Sequence, residues 1–396
     1  MELKQQIREL AKEYLEDVIY YRRHFHATPE LSMKEFQTSA FIAARLSEMG
    51  IPHETGIATT GIVALIKGQE PDSGVIALRA DMDALPIHEE NSVDYKSHHP
   101  GVMHACGHDV HMASLLGVAR ILNQLKHQWR GTVKLIFQPS EEKYPGGASL
   151  MIRAGVLENP APAAILGQHV FPGLPAGKIG VRSGRYMAST DEIFITVKGK
   201  GGHAATPHMV TDPVLIASHL VVALQQIVSR NAQPYMPTVL SFGRIIGEGH
   251  TNVIPDQVKL EGTVRTFDEE WREKIHHRIR EIAVFTTQGM GGDCEVVIDR
   301  GYPYLVNDPA LTRNFRQWAT EYLGAENVEE LDLSMTAEDF AYYSQRMPAC
   351  FYRLGTRNVE KGITANLHSA TFDVDEKALE TGIGLMAWSA IKQLVD

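Results

Sequence analysis

Nine consecutive residues, Met103-His104-Ala105-Cys106-Gly107-His108-Asp109-Val110-His111, carry one thiol and four other side chains able to bind metal. Gly107 lets the backbone bend between Cys106 and His108. A periodic apolar run follows, with Met112, Leu115, Leu116, Val118, Ala119, Leu122 and Leu125 on recurring positions, and predicts an amphipathic helix beginning near His111. The cluster therefore belongs to a loop-to-helix junction, where backbone amides and the positive helix end favour a thiolate or carboxylate. Two readings stand at this point: a metal site, or a reactive or merely buried cysteine among surface histidines.

Carboxylates recur where apolar strands end. The run Gly74–Arg79 leads into Ala80-Asp81-Met82-Asp83-Ala84-Leu85-Pro86, and Gly131–Pro139 leads into Glu141 and Glu142. Nearly continuous apolar runs fit strands buried on both faces of an α/β layer, and open α/β sheets bind ligands beyond the carboxyl ends of their strands. A helix-capping role for Asp83 or for one of the glutamates is the competing reading. Adjacent acids in a loop diverge, so one can reach a metal while its neighbour faces a substrate. Ala164–Val170 predicts a further short strand with His169 near its end, broken by Gly173, Pro175 and Gly177, and His368 comes late in the chain. Cys106, His108, Glu142, His169 and His368 form a mixed ligand set that suits zinc, and its carboxylate also accepts manganese or cobalt. The residues alone leave one ion or two open.

At 396 residues the chain is long enough for about two domains of ~100–200 residues each. The texture changes near Gly184, where Asp191–Lys198 alternates like a strand with one wetter face, followed by a long helix from Pro213 toward Ser229 and further strands. The expected arrangement is an α/β domain from the two ends of the chain, residues 1–183 and 298–396, with an α+β domain, residues 184–297, inserted between them. A net charge of -10 excludes a general nucleic-acid binder. Cys106, Cys294 and Cys350 are too few for a disulfide scaffold and suit a reducing compartment, with Cys294 and Cys350 read as small strand hydrophobes. His276 and His277 read as helix-surface residues. The amino-terminal stretch lacks a signal-peptide pattern, and no run is read as approaching the ~20 apolar residues of a membrane span, so a soluble cytoplasmic protein is expected.

Six motifs occur in order: Ala80 to Pro86, Met103 to Asp109, Gln138-Pro139-Ser140-Glu141-Glu142, Gly201-Gly202-His203-Ala204-Ala205, Thr251-Asn252-Val253-Ile254-Pro255 and Leu367-His368. Together they resemble the M20 metallopeptidase clan, in particular its amidohydrolase branch of N-acyl-amino-acid deacylases, hippurate hydrolases, auxin-conjugate hydrolases and N-acetyldiaminopimelate deacetylases. The resemblance spans essentially the whole chain. It implies a zinc-peptidase-like α/β/α catalytic domain, an inserted α+β dimerisation domain and a homodimer. It also implies two divalent ions per chain, of zinc, manganese, cobalt or nickel, held by Cys106, His108, Glu142, His169 and His368.

The same resemblance implies Glu141 as general base, Asp83 as the acid supporting the metal centre, and His203 as an active-site imidazole commonly supplied by the partner subunit. It makes Asn252 and Arg265 candidates for binding the substrate carboxylate, although a salt bridge to Glu261 explains Arg265 nearly as well. Many peptidases of the clan carry histidine where this chain has Asp81 and a bridging aspartate where it has Cys106, which supports the amidohydrolase branch. The implied reaction is hydrolysis of an N-acyl-L-amino acid, with Glu141 taking a proton from water and returning it to the departing amine. The alternatives are a dipeptidase or carboxypeptidase, a specific N-acetyldiaminopimelate deacetylase, a non-catalytic metal-binding protein, and Cys106 as a nucleophile.

Overall fold

The computed structural model describes residues 2–395; Met1 and Asp396, the outer limits of the expected first domain, lie outside them. The chain divides into two compact units, one of Met1–Gly184, Val306–Asp332 and Asp339–Asp396, the other of Arg185–Leu305 and Leu333–Glu338.

In the first unit the apolar runs form an eight-stranded mixed sheet. Its order is His53–Ile57, Gly61–Lys67, Thr132–Gln138, Val75–Asp81, Ala164–Pro175, Ala349–Arg357, Ile179–Val181 and Val328–Glu330. Val75–Asp81 runs parallel to Thr132–Gln138 and to Ala164–Pro175, which is itself parallel to Ala349–Arg357. Parallel strands end at the same edge, so the chain beyond Asp81 and the chain beyond Gln138 emerge side by side. Helices His108–Gln124 and Ala378–Val395 pack on each other and on Val75–Asp81. Both are buried on nearly every side, the pattern of a core helix. Each fully buried Leu or Ile side chain here contributes about 1.5–3 kcal/mol.

Two local features differ from expectation. The helix begins at His108, not near His111, because Gly107 takes φ 78° and stands as its N-cap, so the Cys-Gly-His motif itself makes the helix start. A Cβ on Gly107 would lie 2.4 Å from Val170 Cγ2, so the position admits no side chain without displacement. The strand expected to break after Val170 continues to Pro175, because its pairing with Ala349–Arg357 persists that far, and His169 sits in its interior.

The second unit is an antiparallel sheet ordered Val239–Ile246, Gln257–Arg265, Asp191–Lys198 and Asp293–Arg300. Helices Pro213–Leu224 and Glu269–Gly289, capped by Asp212 and Asp268, pack together and against it. Ile193, Ile195, Val197 and Leu260 meet Ile216, Leu220, Ile275 and Ile279 in its core. The boundary expected at 298 falls inside Asp293–Arg300, which pairs with Asp191–Lys198 along its whole length; the unit runs on to Leu305 and also takes in Leu333–Glu338. The Pro213 helix gives way to a π-helical segment, Ile227–Asn231. The stretch Pro213–Asn231 is long and apolar enough to cross a membrane by length and composition, which corrects the expectation that no such run exists. Its Ile216, Leu220 and Leu224 lie in the unit's core while Leu215 and Val222 are exposed, so the run is apolar on more than its inner face.

His276, expected on a helix surface, is buried and bonds Asp191 at 2.7 Å. Arg272 also grips Asp191, through Nε at 2.9 Å and Nη2 at 2.5 Å. Burial opposes ionisation of Asp191, but the hydrogen bonds from His276 and Arg272 outweigh it and hold the pKa at about 2. A carboxyl lowered from about 3.9 contributes stability that is present above the unfolded value and lost as pH falls through the folded one. Asp191→Asn is therefore expected to lower stability by about 2–3 kcal/mol at neutral pH, with the difference closing toward pH 2. Urea unfolding followed across that range checks this, and equal stability at pH 7 would exclude the ion-pair account.

Candidate metal centre

The three parallel strands deliver the site. Asp81 ends one strand and Asp83 follows it; Glu141 and Glu142 lie just beyond the next; His169 comes from the third. Asp83 does not cap a helix. Its Oδ1 accepts Glu141 N–H at 2.9 Å, its Oδ2 accepts Glu142 N–H at 3.0 Å and Ser32 Oγ–H at 2.6 Å, and its main-chain oxygen accepts from His108 Nδ1 at 2.7 Å. Asp83 thus fixes the backbone of both glutamates and the ring of His108.

The five expected donors come together in two groups that share one residue. Cys106, His108 and His169 form the first and Cys106, Glu142 and His368 the second, with ligand atoms in each group within 4.8 Å of one another. Cys106 Sγ lies 3.4 Å from His169 Nε2 and 3.3 Å from His368 Nε2, and Glu142 Oε1 lies 3.3 Å from His368 Nε2 and 3.9 Å from His108 Nε2. His368 adopts φ 61°, a left-handed backbone uncommon for a residue with a side chain, and its N–H donates to Ala105 O at 2.8 Å.

These side chains fit a cation on observations other than their type. His108 donates from Nδ1 to Asp83 O, and His169 from Nδ1 to Val170 O at 2.8 Å, so each presents the lone pair of Nε2 to the cluster. Among the described residues, buried His108 Nε2 has no hydrogen-bond partner, and buried Glu142 Oε1 has none nearer than the ion-pair contact to His368 Nε2 at 3.3 Å. Burial disfavours charge on His108, yet Asp81, Asp83 and Glu142 outweigh it and push its pKa up to about 10 in the ion-free site: the carboxylates favour positive charge there, and a bound cation would take the place of the Nε2 proton. Burial and then Arg353 hold His169 well below the usual range, so it stays neutral. Burial, then Glu142 and Glu141, push the Cys106 thiol well up. That negative environment suits a thiolate neutralised by metal and opposes a free thiolate nucleophile.

Asp81 is engaged elsewhere. It accepts from His111 Nδ1 and from Arg79 Nη1, both at 2.5 Å, while His111 Nε2 accepts Val170 N–H at 2.9 Å. Both nitrogens of His111 are thereby used. Arg79 reaches on to Asp339 at 2.8 Å and Gln138 at 3.0 Å, Gln138 donates to both oxygens of Asp339, and Asp339 N–H donates to Glu141 Oε1 at 3.2 Å. Sequence reading missed Arg79, Gln138 and Asp339, although an arginine and a glutamine inside apolar strands were a usable signal. His26 lies in the same unit, on the helix Leu15–Ala27. The ring is buried and bonds Asp109 at 2.8 Å and Glu89 at 3.1 Å, with Arg22 on the same Asp109 oxygen at 2.8 Å.

The remaining expected residues lie in the second unit. His203 is exposed, its Nδ1 accepting Ala205 N–H at 3.0 Å, and Asn252 is brought beside it, its main-chain oxygen accepting Ala204 N–H. Arg265 makes no salt bridge to Glu261, which pairs with Arg244 at 3.0 Å; its guanidinium instead donates to Thr263 Oγ1 and to Val264 O.

Residues 77–391 match the family described as peptidase family M20/M25/M40. The chain belongs to it. An N-acyl-L-amino acid amidohydrolase of Geobacillus stearothermophilus is 43% identical over 77% of this chain and 81% of its own. A thermostable carboxypeptidase of Saccharolobus solfataricus is 39% identical over 99% of each chain. The crystal structure of a dinuclear metal binding peptidase of the M20 family from Bacillus subtilis has a TM-score of 0.84 at 36% identity, covering 97% of this chain and 99% of that one. This M20 protein is a metal-dependent amidohydrolase.

Zinc or manganese at about 100 times its dissociation constant is expected to stabilise the M20 fold by about 2.7 kcal/mol. The gain should shrink when His169→Ala removes a donor. Melting curves with and without added metal check this; superposable curves would remove the cluster as a binding site.

Proposed function

We propose that this M20 enzyme hydrolyses the amide bond of N-acyl-L-amino acids, using two divalent ions held by Cys106, His108, Glu142, His169 and His368. The observation that carries the reading is the sharing of Cys106 between the two donor groups, with Glu141 beside them and outside both. When bound, such ions supply Lewis acidity that makes water nucleophilic near neutral pH and offsets negative charge on the carbonyl oxygen.

The chain's own groups perform the proton transfers. Glu141, with Oε1 held by Asp339 N–H and its main chain by Asp83, takes the proton from the attacking water. It then returns that proton to the amine nitrogen, which otherwise leaves poorly. His203 is assigned as a donor to the carbonyl oxygen: with Nδ1 accepting from Ala205, the ring carries its proton on Nε2. Asn252 and Arg265 are assigned to the substrate carboxylate, for which a guanidinium is the bidentate match. A homodimer is proposed through the second unit, which exposes Val222 and Ile245, the latter on the strand Val239–Ile246 at the edge of its sheet.

The 39% identity to a thermostable carboxypeptidase supports a second reading, in which a peptide replaces the acyl amino acid. Turnover of N-acetyl, N-benzoyl and longer N-acyl amino acids beside dipeptides separates the two, and preference for dipeptides would overturn the first. Glu141→Gln is expected to lower kcat by about 100- to 10,000-fold while metal content stays near one pair per chain. Turnover at the wild-type rate would remove Glu141 as the base.

A further inference from the structure

Glu35 is fully buried, and three segments of the chain meet at its carboxylate. Oε1 accepts Met33 N–H and Ser140 N–H, both at 2.9 Å, and Oε2 accepts Thr60 Oγ1–H at 2.7 Å. Each segment contains a non-glycine residue in the left-handed region: Met33 at φ 65°, Ser140 at φ 53°, and Ala58 and Thr59, at φ 49° and 88°, just before Thr60. Such backbones persist only where surroundings hold them.

Ser140 is the residue before Glu141 and Glu142. Its N–H goes to Glu35, and the next two go to the two oxygens of Asp83. Three consecutive amides are therefore gripped by two buried carboxylates. The loop that supplies Glu35 also supplies Ser32, whose hydroxyl donates to Asp83. Behind the turn, Gly147 N–H donates to Ser140 O at 2.8 Å, and a Cβ at Gly147 would fall 1.6 Å from Pro139 O. The turn has no slack on that side, so the direction in which Glu141 and Glu142 leave the backbone is set by what holds Ser140.

We propose that Glu35 is a positioning residue of the hydrolytic site: by holding Ser140 in its left-handed conformation it aims Glu141 at the reacting water and Glu142 at the metal cluster. The inference rests on the reading of Glu141 as base. Glutamine preserves the acceptor for Met33 and Ser140 and turns an amide N–H toward Thr60, whereas aspartate keeps the charge but falls short by one methylene.

The test measures steady-state hydrolysis of an N-acyl amino acid by the metal-loaded full chain, and amide hydrogen exchange across residues 139–146 in protein stripped of metal. Glu35→Ala and Glu35→Asp are expected to lose about 10- to 100-fold in kcat with KM little changed, and to lose exchange protection at residues 140–142. Glu35→Gln should retain both. Thr60→Val, which removes the bond to the other oxygen and leaves Ser140 held, should lower the melting temperature without lowering kcat. Wild-type kcat in the Ala or Asp variant would overturn the proposal, as would unchanged protection at residues 140–142 or a Thr60→Val enzyme as slow as Glu35→Ala. If Glu35→Ala does not fold, the Asp variant carries the decision. Glu141→Gln run in parallel keeps the two ideas apart: turnover there removes the base, while exchange at residues 140–142 still decides the role of Glu35.

Discussion

The structure depends on how an excess of buried negative charge is compensated where the parallel strands of a mixed sheet end. Asp81, Asp83, Glu141, Asp339 and Glu35 are all buried there, and Glu142 nearly so. An unpaired buried carboxylate is far too costly to persist, so each must be met by a cation or by N–H and O–H donors. Arg79 meets Asp81 and Asp339 together. Asp83 and Glu35 are met mainly by backbone amides and hydroxyls. After that accounting the donor side left unsatisfied is the cluster of Glu142, Cys106 and the imidazoles, which is where a metal belongs.

The acids thus divide by environment. Those saturated by protein donors are fixed in place and serve as framework, and those left open are available for chemistry. Glu141 stands between the two classes: its Oε1 accepts a hydrogen bond from the main-chain amide of Asp339, which stabilises its charge without neutralising it. The same logic explains why histidines in one cluster differ. His111 spends both nitrogens on Asp81 and the Val170 amide, whereas His108 and His169 give Nδ1 to main-chain oxygens and turn Nε2 toward the cluster, that of His169 lying 3.4 Å from Cys106 Sγ.

Much of this was legible in the sequence, and the limits follow from physics. Cys106, His108, Glu142 and His169 stand out because groups that are costly to bury flank strongly apolar runs, whereas His368 is picked out by the resemblance of Leu367-His368 to a family motif. The start of the helix at His108 was obscured because Gly107 acts as a cap only through its left-handed backbone, which periodicity does not report. Arg79 was passed over because its meaning depends on Asp339, far along the chain. His276 looked superficial for a similar reason: its partner, Asp191, is on a strand brought near only by folding. The boundary at 298 erred because strand membership there is decided by pairing with Asp191–Lys198. Glu35 left almost no trace, since its work is done on main-chain amides that any residue type supplies.

The donor set is also ordered in time. Cys106, His108, Glu142 and His169 all precede the second unit, and His368 follows it. A chain emerging from the ribosome exposes four of the five donors while an entire folding unit is still to be synthesised, and His368 arrives last. On the proposed ligand assignment, capture of ions into the finished geometry would be a late event of biosynthesis, and a product truncated before His368 would retain most of the thiol and imidazole donors without the group that lies beside Cys106 and Glu142.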